Sequence, residues 1–581
     1  MSEPPRVHHA LAVPDPRGHL LSVRSTFEAE SLPDPLEIVL PVWTPGSYLV
    51  REYARHVESL GAATRAGACR VEKVRKNAWH VWHDGAAAVT VAYTLYANDL
   101  TVRTNHVDAH HLLVTGAATF LFAAHARDAG ARVAVAVPDG WEVVTPLEQL
   151  DGEFFAPDYD TLVDAPIHAC ATPARTLELA GRPFVVDTHG RAPTAQRPEL
   201  ERDLRAIVEA EAALLGGVPW SRYTLVLLDS APNRGGLEHR DGAVLTLTAA
   251  AYDDRAAVLD TLSLIAHEVL HAWNVKRIRP AALTPYDYER EQYTRALWWF
   301  EGGTSYFDFR FLRLAAVCTD DEWLDHLGQQ IGRLEDTPGR RRQSLADASF
   351  DAWIKAYRPD ESTASTAVSY YLKGEIVCLL LDVTIRVRTA GGRSLDDFLV
   401  ALHDRFGRPA RPVSDAELES TLEDVAGVPL RDVLDPWLRG TEELPIDAVL
   451  GSIGLEVVRQ RKRSRGSLGV RTRQDHGRTV VTSVLRGRAG HAAGLDPGDE
   501  LVAIDGVRVE GRVEAVLADH TPNTTVEVLV SRGGVLTTFT AELESTPFDL
   551  VRVVRRGDVS AEVRALREAF LRAADRGTGA P

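Results

Sequence analysis

The chain has 581 residues, a net charge of −17, 45% apolar residues and 25% charged residues. These are the proportions of a soluble globular protein long enough for roughly three to four domains, each able to bury a core without disulfides. The acidic balance argues against broad nucleic-acid binding, which needs a basic surface. The four cysteines (Cys69, Cys170, Cys318 and Cys378) are spread too widely for a disulfide framework or a cysteine-based metal site.

The opening residues, MSEPPRVHHALAVPDPRGH, show no basic stretch followed by an apolar one, and no run of about 18 apolar residues follows. The expectation is a cytoplasmic protein that does not span a membrane. Residues 1–175 read as an N-terminal β-rich domain, because apolar and polar residues alternate in Leu36–Leu40, Val89–Tyr93 and Val133–Val137 between Pro, Gly and Asp turns. Inside it, Asn105-His106-Val107-Asp108-Ala109-His110-His111 has metal-binding residue types. Polar alternation on a strand reads here as a solvated or interdomain face rather than a second metal site.

Residues 176–450 read as a mostly helical domain. Pro198–Leu215 has acidic residues early and apolar ones at helical spacing. Strands are expected at Tyr223–Leu228 and Val244–Thr248, and buried helices at Ala256–Val275 and Thr294–Ala316. From about Gly454 the pattern changes to short strands with Gly-rich turns, assigned to a third domain over 451–545. The remainder, 546–581, is expected to be a helical tail. Its helix spans Ser560–Ala574, with Val563, Leu566, Phe570 and Leu571 on one face, and Arg576–Pro581 is expected to fray.

The first buried helix carries Ile265-Ala-His267-Glu268-Val-Leu-His271-Ala-Trp273. Spacing i, i+4 puts His267 and His271 on one helix face, where both imidazoles can share one metal ion. Zinc accepts imidazole and carboxylate ligands, and a catalytic site keeps one position open for water. Glu268 lies beside that water, where a general base belongs. HExxH alone is weak evidence. Its apolar context strengthens it, since Leu262, Leu264, Ile265, Ala266, Val269 and Leu270 would make uncompensated polar groups costly. Glu301, in Trp298-Trp-Phe-Glu301-Gly302-Gly303, is the third ligand candidate, because an ionised Glu is rarely buried unpaired. The two glycines weaken the helix locally and would admit a neighbouring segment.

Two more segments suit peptide hydrolysis. Ser369-Tyr370-Tyr371-Leu372-Lys373-Gly374 places tyrosines ahead of a helix, and a phenol can donate to the oxyanion of a tetrahedral intermediate. In Asn233-Arg234-Gly235-Gly236-Leu237-Glu238-His239, glycines allow close backbone approach, and Glu238 can pair with a substrate α-ammonium group.

Together these segments resemble the glycyl aminopeptidase family, zinc peptidases of the thermolysin-like clan that carry a PDZ domain. The matching pieces are HEVLHAWNVKRIRP (267–280), WFEGGTSYF (299–307), SYYLKG (369–374) and GGLEH (235–239), with LPVWTPGSYLVR (40–51) similar to the family's β-domain. The resemblance implies one zinc ion on His267, His271 and Glu301, with Glu268 as base and proton shuttle. It implies Tyr371 as oxyanion donor, with Tyr370 as the fallback. GGLEH is similar to the GxMEN exopeptidase motif of related enzymes, which makes Glu238 the amine ligand; Gly235, Gly236 and Tyr370 are expected substrate contacts. Leu237 and His239 replace Met and Asn there. Thermolysin-like enzymes often have an Asp four residues after the third ligand that orients a histidine; Ser305 stands at that position, which leaves the partner open.

Gly454 to about Leu543 resembles a PDZ domain through Ala493-Gly-Leu-Asp-Pro-Gly-Asp-Glu-Leu-Val-Ala-Ile-Asp-Gly506. Leu468, Gly469 and Val470 correspond to the loop whose backbone N–H groups capture a peptide C-terminus. Glu510–Asp519 is the expected groove helix, and the basic run Arg459–Arg465 reads as a solvated loop that helps attract a carboxylate. The expectation is a multidomain α+β protein: an N-terminal β-domain, a thermolysin-like catalytic domain and a C-terminal PDZ domain. Its expected activity is zinc-dependent removal of small N-terminal residues (Gly, Ala) from peptides. An endopeptidase with PDZ-recruited substrates and a non-catalytic PDZ adaptor are the alternatives. Expected partners are peptides, with no nucleic acid or membrane.

Overall fold

The computed structural model describes residues 6–190, 198–229, 231–461 and 465–572. Lys462–Ser464 of the basic run and the end expected to fray, Arg576–Pro581, lie outside them. Among the described residues no helix is long and apolar enough to cross a membrane.

The N-terminal domain is built on an eight-stranded sheet, with three- and four-stranded sheets against it. Strict alternation drives it. In Arg6–Asp15, Val7, His9 and Leu11 point inward, and the strand pairs parallel with Ala131–Ala136 and antiparallel with Leu20–Glu28. The expected strands appear as Leu36–Val39, Ala88–Tyr96 and Ala131–Ala136.

The catalytic domain opens with a five-stranded sheet ordered Arg175–Leu179, Arg182–His189, Tyr223–Leu228, Gly242–Thr246 and Gly235–His239. The last is an antiparallel edge strand. Tyr223–Leu228 is buried throughout because both faces of the sheet are covered. Helices cover one face, while Val102 and Leu113 of the N-terminal domain pack on Val226, Leu228, Leu237 and Val244. A sheet covered on both sides produces a continuous apolar run rather than alternation.

Three helices of the catalytic domain differ from expectation. The motif helix ends at Leu270, with His271 as its C-cap, instead of running to Val275; the chain then coils so that Asn274 returns its carbonyl to His271. The stretch expected as one helix over Thr294–Ala316 is broken into Leu297–Phe300 and Gly302–Leu314, with Glu301 at the joint. The poor helix formers Gly302 and Gly303 follow that joint. Tyr370 and Tyr371, placed ahead of their helix in the sequence reading, form the first turn of Tyr370–Arg388, where Ser369 Oγ accepts the Leu372 N–H.

The PDZ module has its own core of Leu468, Val481, Leu501, Ile504 and Val528. Its groove helix is one turn, Val513–Val516, shorter than the expected Glu510–Asp519. The stretch expected as a helical tail begins with a strand, Leu550–Arg555, and becomes helical only at Ala561–Leu571. That strand pairs antiparallel with Leu455–Gln460, so the PDZ module sits between the two arms of one strand pair. The pair lies on helix Asp320–Glu335, where Gly328 and Gly332 leave room for Val551. Val457, Val551, Val553, Phe570 and Leu571 join the catalytic core. The strand pair therefore belongs to the catalytic body, and the PDZ module is mounted on it. Arg459 is not a solvated charge: it grips Glu335 and Asp447.

Candidate active site

His267 and His271 occupy the last turn and C-cap of the motif helix, whose N-terminus is capped by Asp254. Their rings lie 4.6 Å apart and nearly perpendicular. Glu301 Oε2 stands 3.6 Å from His267 Nε2 and 3.4 Å from His271 Nε2. The ligand atoms of all three residues lie within 4.8 Å of one another. The opposite ring nitrogens are already engaged. His271 Nδ1 donates to the Asn274 carbonyl at 2.6 Å, and His267 Nδ1 faces Asp308 Oδ2 at 3.3 Å. Those partners hold the proton on Nδ1 and turn the Nε2 lone pairs toward Glu301, the tautomer a metal site requires. The histidine-orienting carboxylate, left open in the sequence reading, is thus Asp308, one helical turn beyond Ser305.

Tertiary packing places Glu301. A Cβ on Gly302 would fall 2.6 Å from Gly374 Cα, so two glycines let helices Gly302–Leu314 and Tyr370–Arg388 touch backbone to backbone. The same contact brings Tyr371 to the site, its ring 6.3 Å from that of His267 and its hydroxyl 3.4 Å from Tyr357 Oη. Tyr370, named as a substrate contact, is fully buried and stacks on Tyr371 with ring centroids 4.6 Å apart.

The edge strand Gly235–His239 forms the opposite wall. Residues i and i+2 share a face, so Gly236 and Glu238 both look into the site, while Leu237 packs on the N-terminal domain. A Cβ on Gly236 would stand 1.9 Å from Glu268 Oε1; the glycine therefore accommodates the glutamate of the motif. Between these walls lies a cavity of about 360 Å³ that Glu238, Glu268, Glu301 and Tyr371 all reach. Its size suits a small ligand.

Carboxylates crowd around the histidines. Glu238, Glu268, Glu301 and Asp308 converge with little solvent. Burial pushes the Glu268 carboxyl well above its ordinary range. Burial alone would lower His267, but Asp308 and Glu301 outweigh it and hold the ring protonated well above its ordinary value. Burial would likewise raise Glu301, but His271 and His267 keep it ionised. A pocket that draws a proton onto an imidazole this strongly also favours a divalent cation at the same point. The donor set and the tautomers fit a metal ion.

Several contributors have no role assigned from the sequence. Gly46, from the N-terminal domain at φ +89°, would place a Cβ 2.4 Å from Glu238 Oε1, so only glycine closes that end of the cavity. Arg103 reaches across from the same domain to donate to the Gly236 carbonyl at 3.1 Å. Lys276, in the extension of HExxH, is fully buried, 2.7 Å from Asp164 and 4.0 Å from Glu238. His239, which stands where related motifs have Asn, faces Asp164 at 3.3 Å. Replacing Lys276 with methionine would remove the ammonium that faces Asp164 and the buried Glu238. The expected outcome is a loss of about 3–5 kcal/mol of stability in urea unfolding; an unchanged midpoint would show that Asp164 and Glu238 find another partner.

The PDZ loop residues Leu468, Gly469 and Val470 border a separate cavity of about 240 Å³ together with Val513 and Leu517. Gly469 adopts φ +64° and turns its N–H toward Ser467 Oγ at 3.0 Å.

Comparison with known proteins agrees with this architecture. Residues 8–171 match the model of the peptidase M61 N-terminal domain, residues 260–377 that of M61 glycyl aminopeptidase, and residues 466–543 that of the PDZ domain. Among solved structures, an aminopeptidase N family protein from Idiomarina loihiensis superposes with a TM-score of 0.90 at 27% identity, over 97% of this chain and 100% of that one. An M1 zinc metallopeptidase from Deinococcus radiodurans is similar at a TM-score of 0.46 and 14% identity, over 77% of this chain and 95% of that one. Yeast LTA4 hydrolase in complex with bestatin is similar at a TM-score of 0.46 and 13% identity, over 77% and 70%. No curated protein sequence matches the chain.

Proposed function

The chain belongs to the M61 glycyl aminopeptidase family of metallopeptidases, and from that premise we propose that it is a zinc aminopeptidase removing a small first residue, Gly or Ala, from peptides. His267, His271 and Glu301 would hold one zinc ion, which when bound would supply Lewis-acid polarisation of the attacking water and the scissile carbonyl. Glu268 accepts the proton of that water and delivers it to the departing amine. The Tyr371 hydroxyl donates to the oxyanion as the carbonyl becomes tetrahedral. Glu238 binds the free α-ammonium group, a charge-assisted contact inside a buried wall. Gly235 and Gly236 keep that wall thin enough for the substrate backbone to approach.

The observation that carries the reading is the position of Glu238. It is 3% exposed and lies two residues from Gly236 on the face against which Glu268 rests. An amine bound there has its first peptide bond beside Glu268. The small cavity, closed by Gly46 of the N-terminal domain, supports the preference for small first residues. The test is cleavage of dipeptide amides, free and N-acetylated. Free Gly and Ala substrates should be cleaved and acetylated ones refused. Glu238→Gln should lower kcat/KM on free amines by about 10- to 100-fold, equivalent to losing a charge-assisted hydrogen bond. Rapid cleavage of acetylated peptides would instead favour an endopeptidase supplied by the PDZ groove.

A further inference from the structure

The segment Asn105–His111 takes no part in the catalytic site, and the structure buries much of it. His106 opens the short strand His106–Val107, and His111 opens the antiparallel strand His111–Val114 with which that strand pairs. Between them Asp108 accepts the backbone N–H groups of His110 at 2.7 Å and His111 at 3.0 Å. That turn brings the two rings together, stacked 4.8 Å apart. On its other face His111 stacks at 4.2 Å on His189, the last residue of catalytic-sheet strand Arg182–His189, and His168 follows at 5.5 Å. Four histidines from both domains thus meet at one seam.

This gathering is costly unless something binds it. His111 is 2% exposed and His106 8% exposed, and the Nδ1 atom of each is buried with no hydrogen-bond partner among the described residues. Burial, reinforced by the neighbouring histidines, pushes His111 down to about 2, and burial also lowers His106 and His189. The rings are therefore neutral, the form that ligates metals. His168 is different, because its Nδ1 is satisfied by Asp187 at 2.6 Å.

We propose that His106, Asp108 and His111 form a second metal site, for a divalent transition-metal ion that prefers imidazole, such as zinc, at the seam between the N-terminal domain and the catalytic sheet. Their ligand atoms lie within 4.8 Å of one another, the limit the catalytic trio also meets. A tetrahedral zinc shell needs ligand atoms about 3.3 Å apart, so closure shortens their separations by at most about 1.5 Å. Asp108 is half-buried and provides both the charge and an opening to solvent. The ion would tie the His106–His111 turn beneath His189, which makes it structural, and it does not depend on the catalytic reading.

The test is zinc content of the full-length protein, stripped with chelator, reloaded by dialysis against micromolar zinc and measured by plasma mass spectrometry. The variants are Asp108→Asn, which keeps an acceptor for the two N–H groups, and His106→Gln, each checked for folding by circular dichroism. The expected result is that each variant holds about one zinc ion fewer per chain than wild type, while hydrolysis by Asp108→Asn stays at the wild-type rate. Equal zinc content in wild type and both variants would overturn the proposal and leave a stack of neutral histidines. Because the difference between wild type and variant is what is read, a failure of the catalytic assignment would show separately, as absent hydrolysis.

Discussion

Replacing Glu268 with glutamine should lower kcat by about 10²–10⁴-fold with zinc content and fold unchanged. Glu268 is 4% exposed and its Oε2 has no hydrogen-bond partner among the described residues. It is a buried carboxylate aimed into the cavity without an ion pair of its own, which is unfavourable for stability and suited to accepting a proton. Glutamine has the same shape, so it meets Gly236 as glutamate does and leaves His267, His271 and Glu301 in place. It has no site to take the proton of the attacking water. Steady-state hydrolysis of a free Ala amide, with metal analysis on the same samples, separates loss of the base from loss of the ion. A variant that keeps its zinc and cleaves at more than a tenth of the wild-type rate would remove Glu268 from that role.

The second large effect is expected from a methyl group. Gly236→Ala places a Cβ 1.9 Å from Glu268 Oε1 and 2.4 Å from its Cδ. The obstacle is the far end of a side chain rather than backbone, so the strand survives and the carboxylate must swing aside. Displacing a catalytic group by about 1 Å costs on the order of 10²-fold in rate. Zinc content and unfolding midpoint should barely change. Gly235→Ala is the internal comparison: its Cβ would meet nothing closer than Thr246 Oγ1 at 3.5 Å, so it should lose far less. Equal losses at the two glycines would mean that both act on the substrate backbone and not through Glu268. Unimpaired Gly236→Ala would show that Glu268 works from a different rotamer.

Much of the site was legible because its signals are local. HExxH has a helical period, so the shared face of His267 and His271 follows from geometry alone. A continuous apolar run located Tyr223–Leu228 to the residue, and an acidic first turn located Pro198–Leu215. The glycines after Glu301 were read as a place for a neighbour, and Gly374 is that neighbour. Helix ends were less legible, because the end of a helix is set by what the next residues bond to. His271 became a cap because Asn274 accepts from its Nδ1.

Legible from the sequence is an inventory: a β-rich domain, an HExxH helix, a glutamate at a weak helical joint and a PDZ module. Each is encoded by periodicity or by a motif a few residues long. How these pieces close a chamber follows from long-range packing. Gly46 and Arg103 reach the edge strand from more than a hundred residues away, and Asp308 replaces the absent carboxylate one turn late. Lys276 bridges Asp164 and Glu238, and the strand Leu550–Arg555 returns to pair beneath the PDZ module. Such contacts arise from packing between distant segments, where a side chain's role is set by what burial places opposite it. The same reason explains the histidines at 106 and 111: alternation alone suggested a face, and only the arrival of His168 and His189 from other strands turned that face into a buried cluster.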